Sequence, residues 1–382
     1  MFKISPDETL KQVQELYEKK LVTYPRTDAR VLSTAVAKEI HKNIGGLRNF
    51  APVREFANEI LESGSYKKIG KTKYVNDKQI TDHYAIVPTG QGMGALKSLS
   101  SLSAKIYEVI CRRFLSIFYP PAVYQKFGLD LTMAAGQEPG REPGREHFFA
   151  NFRMMLEPGY LKVAEVSGGR KEDREGKETP GGRNADNVDA SGGSASNAES
   201  ASSNINNPEF AAMLGTLKKG STLKVNSLTI KEGETSPPKR YSSGSMILAM
   251  ENAGQLIEDE ELRAQIKGSG IGTSATRAEI LKKLVNIKYL SLNGKTQIIT
   301  PTLLGEMIFD VVNASIRQLL NPDLTASWEK GLTYVAEGSI TPEEYMEKLE
   351  NFVAGRTYGV LKLNNQYQLR TYFDAAAVNY KR

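Results

Sequence analysis

The chain has 382 residues, with 50 Lys and Arg against 44 Asp and Glu, a formal net charge of +6. That length gives room for two or three domains with their own cores and excludes a small peptide module, and the modest basic excess is a weak pointer to a polyanionic partner. Cys111 is the one cysteine and there are three histidines, so neither an intrachain disulfide nor a Cys/His zinc cluster can form, and a cytoplasmic location is expected. MFKISPDETL lacks the apolar stretch of an export leader, and no run of about 18 apolar residues occurs, so no membrane is expected as a partner.

In chain order, Ser5-Pro6-Asp7-Glu8 joins a serine N-cap to a glutamate three residues on, with proline at the first helical position. Leu10, Val13, Leu16 and Tyr17 follow at helical spacing, which predicts an amphipathic helix to about Lys20. Leu21 to Thr23 is short and apolar, and Pro25 biases Tyr24 toward extended backbone, so Tyr24 is expected at an exposed strand-to-loop transition. Leu32, Val36, Ile40 and Ile44 recur every fourth residue, predicting a second helix that ends at Gly45-Gly46. A third spans about Ser103 to Tyr119, stopped by Pro120-Pro121. Residues 1–120 thus read as one largely helical domain.

From Val123 the pattern turns to strands, over Tyr124 to Met133, Phe148 to Leu156 and Ser221 to Ile230. Residues 121–245 read as a strand-rich unit. It is interrupted at 167–207 by a segment of Gly, Ser, Asn, Ala and charge, too poor in large apolar residues to offset its ordering entropy; it is expected to be disordered. A tandem Glu-Pro-Gly-Arg at 138–145 reads as an expanded hairpin loop. Residues 246–382 are helical again, with Ile280, Leu281, Leu284 and Val285 on one stripe after Thr276. Tyr289 to Leu292 and Gln297 to Thr300 flank Asn293-Gly294, a two-residue turn signal, and a helix follows from about Thr302. Helix, hairpin, helix suggests a winged-helix-like unit. A helix from Pro342 to about Phe352 precedes a poorly patterned tail.

The most informative hexapeptide is Thr23-Tyr24-Pro25-Arg26-Thr27-Asp28. Side chains two apart on extended backbone share a face, so the Tyr24 phenol and the Arg26 guanidinium point the same way. A phenol with a pKa near 10 needs nearby positive charge or a base to act as a nucleophile, and a guanidinium fork can both supply charge and hold two phosphate oxygens. On residue chemistry alone, a Tyr-x-Arg triplet is more often a packed aromatic beside a solvated charge.

Four ordered motifs shift that balance. Leu21 to Asp28 resembles the active-site motif of type IA DNA topoisomerases, and the proline after tyrosine is similar to the topoisomerase III branch. Asp82-His83-Tyr84-Ala85-Ile86-Val87-Pro88-Thr89 is similar to the family's Asp-His-His-Ala-Ile-x-Pro-Thr, with Tyr84 in place of the second histidine. Gly270-Ile271-Gly272-Thr273-Ser274-Ala275-Thr276-Arg277 is similar to Gly-Ile-Gly-Thr-Pro-Ala-Thr-Arg, with Ser274 for the proline. Pro237-Pro238-Lys239-Arg240-Tyr241, then Gly244 and Met250-Glu251-Asn252, resembles the segment leading into it.

What the resemblance implies is a multidomain α+β fold, part of the family's toroid, with helical and winged-helix-like domains joined by a strand-rich arch. It implies Tyr24 as the nucleophile that forms a 5′-phosphotyrosine, Arg26 on the scissile phosphate and His83 positioning DNA. Thr27, Asp82, Lys239, Arg240, Thr273, Thr276 and Arg277 are implied DNA contacts, the last two at a helix start where N–H groups and a cation can hold phosphate. Tyr84, Tyr241 and Phe118 are open between stacking platforms for single-stranded DNA and packed core. Cleavage, strand passage and resealing need no ATP, because the phosphotyrosine ester stores the bond. The family's Mg²⁺ sits in an N-terminal Toprim domain; no Asp-x-Asp occurs in this sequence and Glu258-Asp259-Glu260 reads as a solvated helix start, so no metal site is expected here. A Toprim-bearing chain in trans is an implied partner, and a non-catalytic remnant that only binds single strands is the alternative.

Overall fold

The computed structural model describes residues 2–80, 82–134, 145–164, 203–204, 207–230, 232–235, 237–253, 257, 260 and 270–380. Most of the 138–145 duplication and of the 167–207 insertion lies outside the described residues, as do Glu258 and Asp259.

Helices α1 (Pro6–Glu18), α2 (Thr34–Leu47), α3 (Arg54–Ser63) and α4 (Ser101–Ser116) precede strands β1 (Val123–Ala134) and β2 (Arg145–Glu157). A short helix α5 (Leu161–Ala164), a brief strand β3 (Ser203–Asn204) and α6 (Pro208–Thr216) follow. Next come α7 (Ser243–Glu251), α8 (Arg277–Asn286), strands β4 (Leu290–Leu292) and β5 (Ile299–Pro301), and then α9 (Leu303–Ser315), α10 (Pro322–Ala336), α11 (Pro342–Leu361) and α12 (Gln366–Val378). The chain is therefore a mix of helix and sheet. Among the described residues no helix is long and apolar enough to cross a membrane.

These elements form two compact units, each built from separated stretches of chain. One comprises Met1–Arg30, Gln79–Ile86 and Pro237–Arg382; the other comprises Val31–Lys78 and Val87–Ser236. The division by packing differs from a division in chain order at 120 and 245, because residues 1–30 and 79–86 pack with the C-terminal third.

In the first unit, α1 begins as its sequence dictates: Pro6 opens the first turn and the Ser5 hydroxyl accepts from the Glu8 N–H. Val13 and Leu16 turn inward, and Lys282 of α8 reaches Asp7 in the first turn of α1 at 3.1 Å. Helix α8, the β4–β5 hairpin and α9 follow in the expected order, with Met250, Leu281 and Ile299 buried together and Leu290 and Leu292 packed on them. Gly305 is required where α9 starts, since a Cβ there would lie 2.0 Å from the Tyr289 carbonyl oxygen. Trp328 of α10 meets Tyr345 and Phe352 of α11 edge-on, at 5.6 and 5.7 Å.

The second unit buries Ile40, Ile44 and Leu47 of α2 with Ile60 of α3 and Leu115 of α4, each no more than 1% exposed. β1 and β2 form a long antiparallel pair with Phe127 opposite Phe152, and α6 lays Ala211 and Leu214 against that face.

Several expectations are corrected. Helix α2 does not stop at Gly45-Gly46 but runs through them to Leu47. Leu47 is fully buried, and Gly46 sits where a Cβ would fall 1.9 Å from the Gly90 oxygen, so packing rather than chain termination explains that glycine. The Ser221 to Ile230 alternation forms no strand; Leu223, Val225, Leu228 and Ile230 are 47, 55, 62 and 91% exposed. The β4–β5 turn is longer than two residues: the Asn293 side-chain oxygen accepts from the N–H groups of both Lys295 and Thr296, and Gln297 takes a positive φ of 59°. The tail carries helix α12, which packs on α9.

Candidate active site

Tyr24 lies in an irregular stretch between α1 and Arg30, within the first unit. It is half-buried rather than exposed, because its ring is covered on two sides. The Tyr17 ring, in the last turn of α1, meets it edge-on at 5.4 Å between centroids, and the His83 imidazole lies against it at 4.5 Å, tilted by 46°. Pro25 is buried beside it. With phenyl and imidazole faces fixing the ring, its orientation is set by packing rather than by a hydrogen bond from its hydroxyl, which has no partner among the described residues.

Four side chains hold the backbone on which Tyr24 sits. The Thr23 hydroxyl donates to the Ala85 carbonyl at 3.1 Å, and the Thr27 hydroxyl donates to the His83 carbonyl at 2.8 Å. These two bonds bind the tyrosine segment to the 82–86 segment on both sides of residue 24, which is why His83 meets the ring. On the other flank Asp28 accepts from Arg277 Nη1 at 3.3 Å, and Arg30 Nη2 donates to Glu251 Oε1 at 2.6 Å. The segment thus needs no ladder of backbone bonds to hold its shape.

Arg277 is the centre of the second flank. It is 4% exposed; its Nε donates to the Ile271 carbonyl at 3.1 Å and its Nη2 to the Gly272 carbonyl at 3.0 Å. The loop 270–276 wraps this guanidinium, and two glycines make that shape. Gly270, φ 60°, lies so close to the Met250 and Glu251 carbonyls that a Cβ would fall 2.6 Å from each, and Gly272 has φ 69°. Ile271 N–H closes the loop on the Met250 carbonyl at 2.8 Å. Thr273 and Thr276 are exposed, and the Thr273 N–H bonds the Thr276 hydroxyl at 2.8 Å. The Arg277 guanidinium is therefore engaged by Ile271, Gly272 and Asp28. A buried guanidinium must be fully hydrogen-bonded, and the nearby carbonyls and carboxylate supply that.

The other expected residues divide. Arg26 and Asp82 are exposed, and Arg26 makes no ion pair among the described residues, so its fork is open to an anion. His83 is exposed although its ring lies against that of Tyr24. Lys239 and Arg240 are exposed and are not brought to Tyr24 by any hydrogen bond or ion pair among the described residues; the next residue, Tyr241, accepts from the Ile299 N–H on the hairpin. Tyr241 is 51% exposed, Phe118 is core at 7%, and Tyr84 is intermediate. Asp28, Arg30, Glu251 and Tyr17 were missed as site residues. Asp28 lies inside the hexapeptide, but nothing in the order of residues shows that a group at 277 meets it.

No set of three or more His, Cys, Asp or Glu side chains converges among the described residues. The described residues therefore do not fit a Mg²⁺ site.

The sequence profile described as DNA topoisomerase matches residues 1–347. The chain belongs to the DNA topoisomerase family, in its type IA class. Within that class it is similar to topoisomerase III: DNA topoisomerase 3 of Bacillus licheniformis is 31% identical over 369 residues, and that of Bacillus subtilis is 30% identical over the same length. Each alignment covers 96% of this chain and 43% of the relative, so the chain spans under half the length of the curated relatives it matches. Full-length topoisomerase I from Thermotoga maritima aligns with 92% of this chain and 46% of its own at 20% identity and a TM-score of 0.48.

Proposed function

We propose that this chain carries the strand-cleaving tyrosine of a type IA topoisomerase acting on single-stranded DNA. The Tyr24 oxygen attacks a phosphodiester phosphorus; the P–O3′ bond breaks as the P–O(Tyr24) bond forms, leaving a 5′-phosphotyrosine and a 3′-hydroxyl that takes up the proton. Religation is the reverse attack, and because one phosphodiester replaces another the step needs no ATP. Arg26, exposed two residues on and without an ion pair among the described residues, pairs two phosphate oxygens and stabilises the charge of the pentacovalent transition state. His83, exposed and lying against the phenol ring, donates to phosphate and positions the strand. Thr27 acts by holding His83, and Asp82, Thr273 and Thr276 are exposed polar groups available to the backbone. Passage of a second strand through the gap, with relaxation of negative supercoils or decatenation, is the topological outcome. The chain-order parts 1–120, 121–245 and 246–382 then stand for the tyrosine-bearing domain, the arch and the winged-helix-like base of the toroid. A Toprim domain bearing Mg²⁺ is needed for turnover, on this chain or in trans, and the enzyme works in the cytoplasm.

The observation that carries the reading is the Tyr24 ring held between Tyr17 and His83, with its hydroxyl unpaired and Arg26 open two residues on. The test is cleavage trapping with 5′- and 3′-labelled single strands and Mg²⁺, with and without a Toprim domain, beside Tyr24→Phe. The expected result is a covalent adduct on the 5′ end that the variant does not make. Single-strand binding with no adduct in any mixture would instead support a non-catalytic binding remnant.

A further inference from the structure

We infer that the lysine strip Lys67, Lys68, Lys71 and Lys73 of the second unit is a docking surface for the phosphate backbone of single-stranded DNA; the choice of DNA as the polyanion rests on the function proposed above. These four lysines are exposed, and none forms an ion pair among the described residues. No acidic residue occurs between Glu62 and Asp77. The interval carries four positive charges and no negative one.

The strip is built rather than a loose tail. Ser65–Lys71 is a 3₁₀ segment anchored by buried Ile69, entered through Gly64 at φ 66° and left through the Thr72 N–H bond to the Ile69 carbonyl at 3.0 Å. Beyond it, Leu32 N–H donates to the Tyr74 carbonyl at 2.8 Å and Asn76 N–H to the Leu32 carbonyl at 3.1 Å, so the far end is paired to ordered backbone. Tyr66 lies 6.3 Å from the His41 ring and Lys73 Nζ lies 5.8 Å from the Tyr74 ring, which places aromatic surface among the charges. Like charges on ordered backbone repel one another, and no acid among the described residues pairs with them. The nearest acid along the chain, Asp77, is committed to Thr34, whose N–H donates to it at 2.8 Å and whose hydroxyl does so at 2.5 Å. Other lysines do find acids, as half-buried Lys19 with Glu15 and exposed Lys162 with Glu59 and Lys282 with Asp7. A phosphate chain would supply the missing counter-charge, and displacement of its counterions would drive binding.

The test uses the full chain with K67A/K68A/K71A/K73A, measured by anisotropy on an oligothymidylate of about 30 nucleotides between about 0.05 and 0.3 M salt. Each phosphate contact contributes about 0.7 to the slope of log affinity against log salt, so loss of all four lowers it by about 2.8. The four-arginine variant keeps the parental slope, and K105A/K295A/K348A/K362A, which removes the same charge from exposed sites elsewhere, changes it by less than one contact. A strip variant with unchanged circular dichroism whose slope falls by less than about 0.7 overturns the inference. Adduct formation at Tyr24 with an unchanged slope sinks the strip alone, whereas a lowered slope without any Tyr24 adduct keeps the strip and sinks the cleavage chemistry.

Discussion

Two stretches of extended chain in this molecule meet opposite ends. Residues 221–230 alternate apolar and polar side chains, the pattern of a strand, yet no ladder forms and Ile230 is 91% exposed. Residues 21–30 have no such alternation, yet they are held in place from both flanks by Thr23, Thr27, Asp28 and Arg30. Alternation promises a strand only where a partner edge and an apolar surface are present to receive it. Side-chain clamps hold an irregular backbone without either.

The sharpest way to break this comparison is to remove the clamp's buried cation. Arg277→Ala leaves the Ile271 and Gly272 carbonyls without their donor and Asp28 without its partner, and a loss of about 2 kcal/mol in local stability is expected. Amide exchange at Ile271 should accelerate roughly 30-fold. Arg277→Lys should not restore protection, because an ammonium cannot reach two carbonyls and a carboxylate at once. Thr27→Val removes the hydroxyl bond to the His83 carbonyl at a cost of about 1 kcal/mol, and should lower adduct yield several-fold while the α1 amides keep their protection. Asp28→Asn has a smaller effect, about 0.5 kcal/mol, since Asp28 is 52% exposed on its side chain and water screens the pair. At the bottom of the scale, Leu228→Ser with Ile230→Ser should move thermal unfolding by an amount equivalent to less than about 0.5 kcal/mol. A large loss there would mean that the stretch is packed after all.

The comparison also separates what the order of residues can and cannot reveal. Ser5 and Pro6 announce α1 because capping acts within four residues, and the Phe127 and Phe152 strands are legible through local composition. Tyr24, Arg26 and His83 are singled out by motif resemblance, and the structure brings the Tyr24 and His83 rings into contact. The pairing of Asp28 with Arg277 depends on tertiary folding across 249 positions, so no local rule exposes it. Gly45-Gly46 misled because a glycine pair marks a helix end by default, and the Gly90 carbonyl that Gly46 accommodates is remote in sequence. The tail was underestimated because α12 keeps little of its surface buried, Ala376 being its one buried side chain, and so carries a weak apolar stripe.

The most direct measurement is to trap the covalent complex with a short single strand, digest it with nuclease and trypsin, and locate the residual nucleotide by mass spectrometry. Trypsin releases Leu21–Arg26, which contains a single tyrosine. A nucleotide phosphate on Tyr24 in that peptide is the predicted result. Label on Tyr17 or Tyr84, or an unmodified Leu21–Arg26 peptide from a complex that has cut its DNA, would contradict the assignment of the nucleophile.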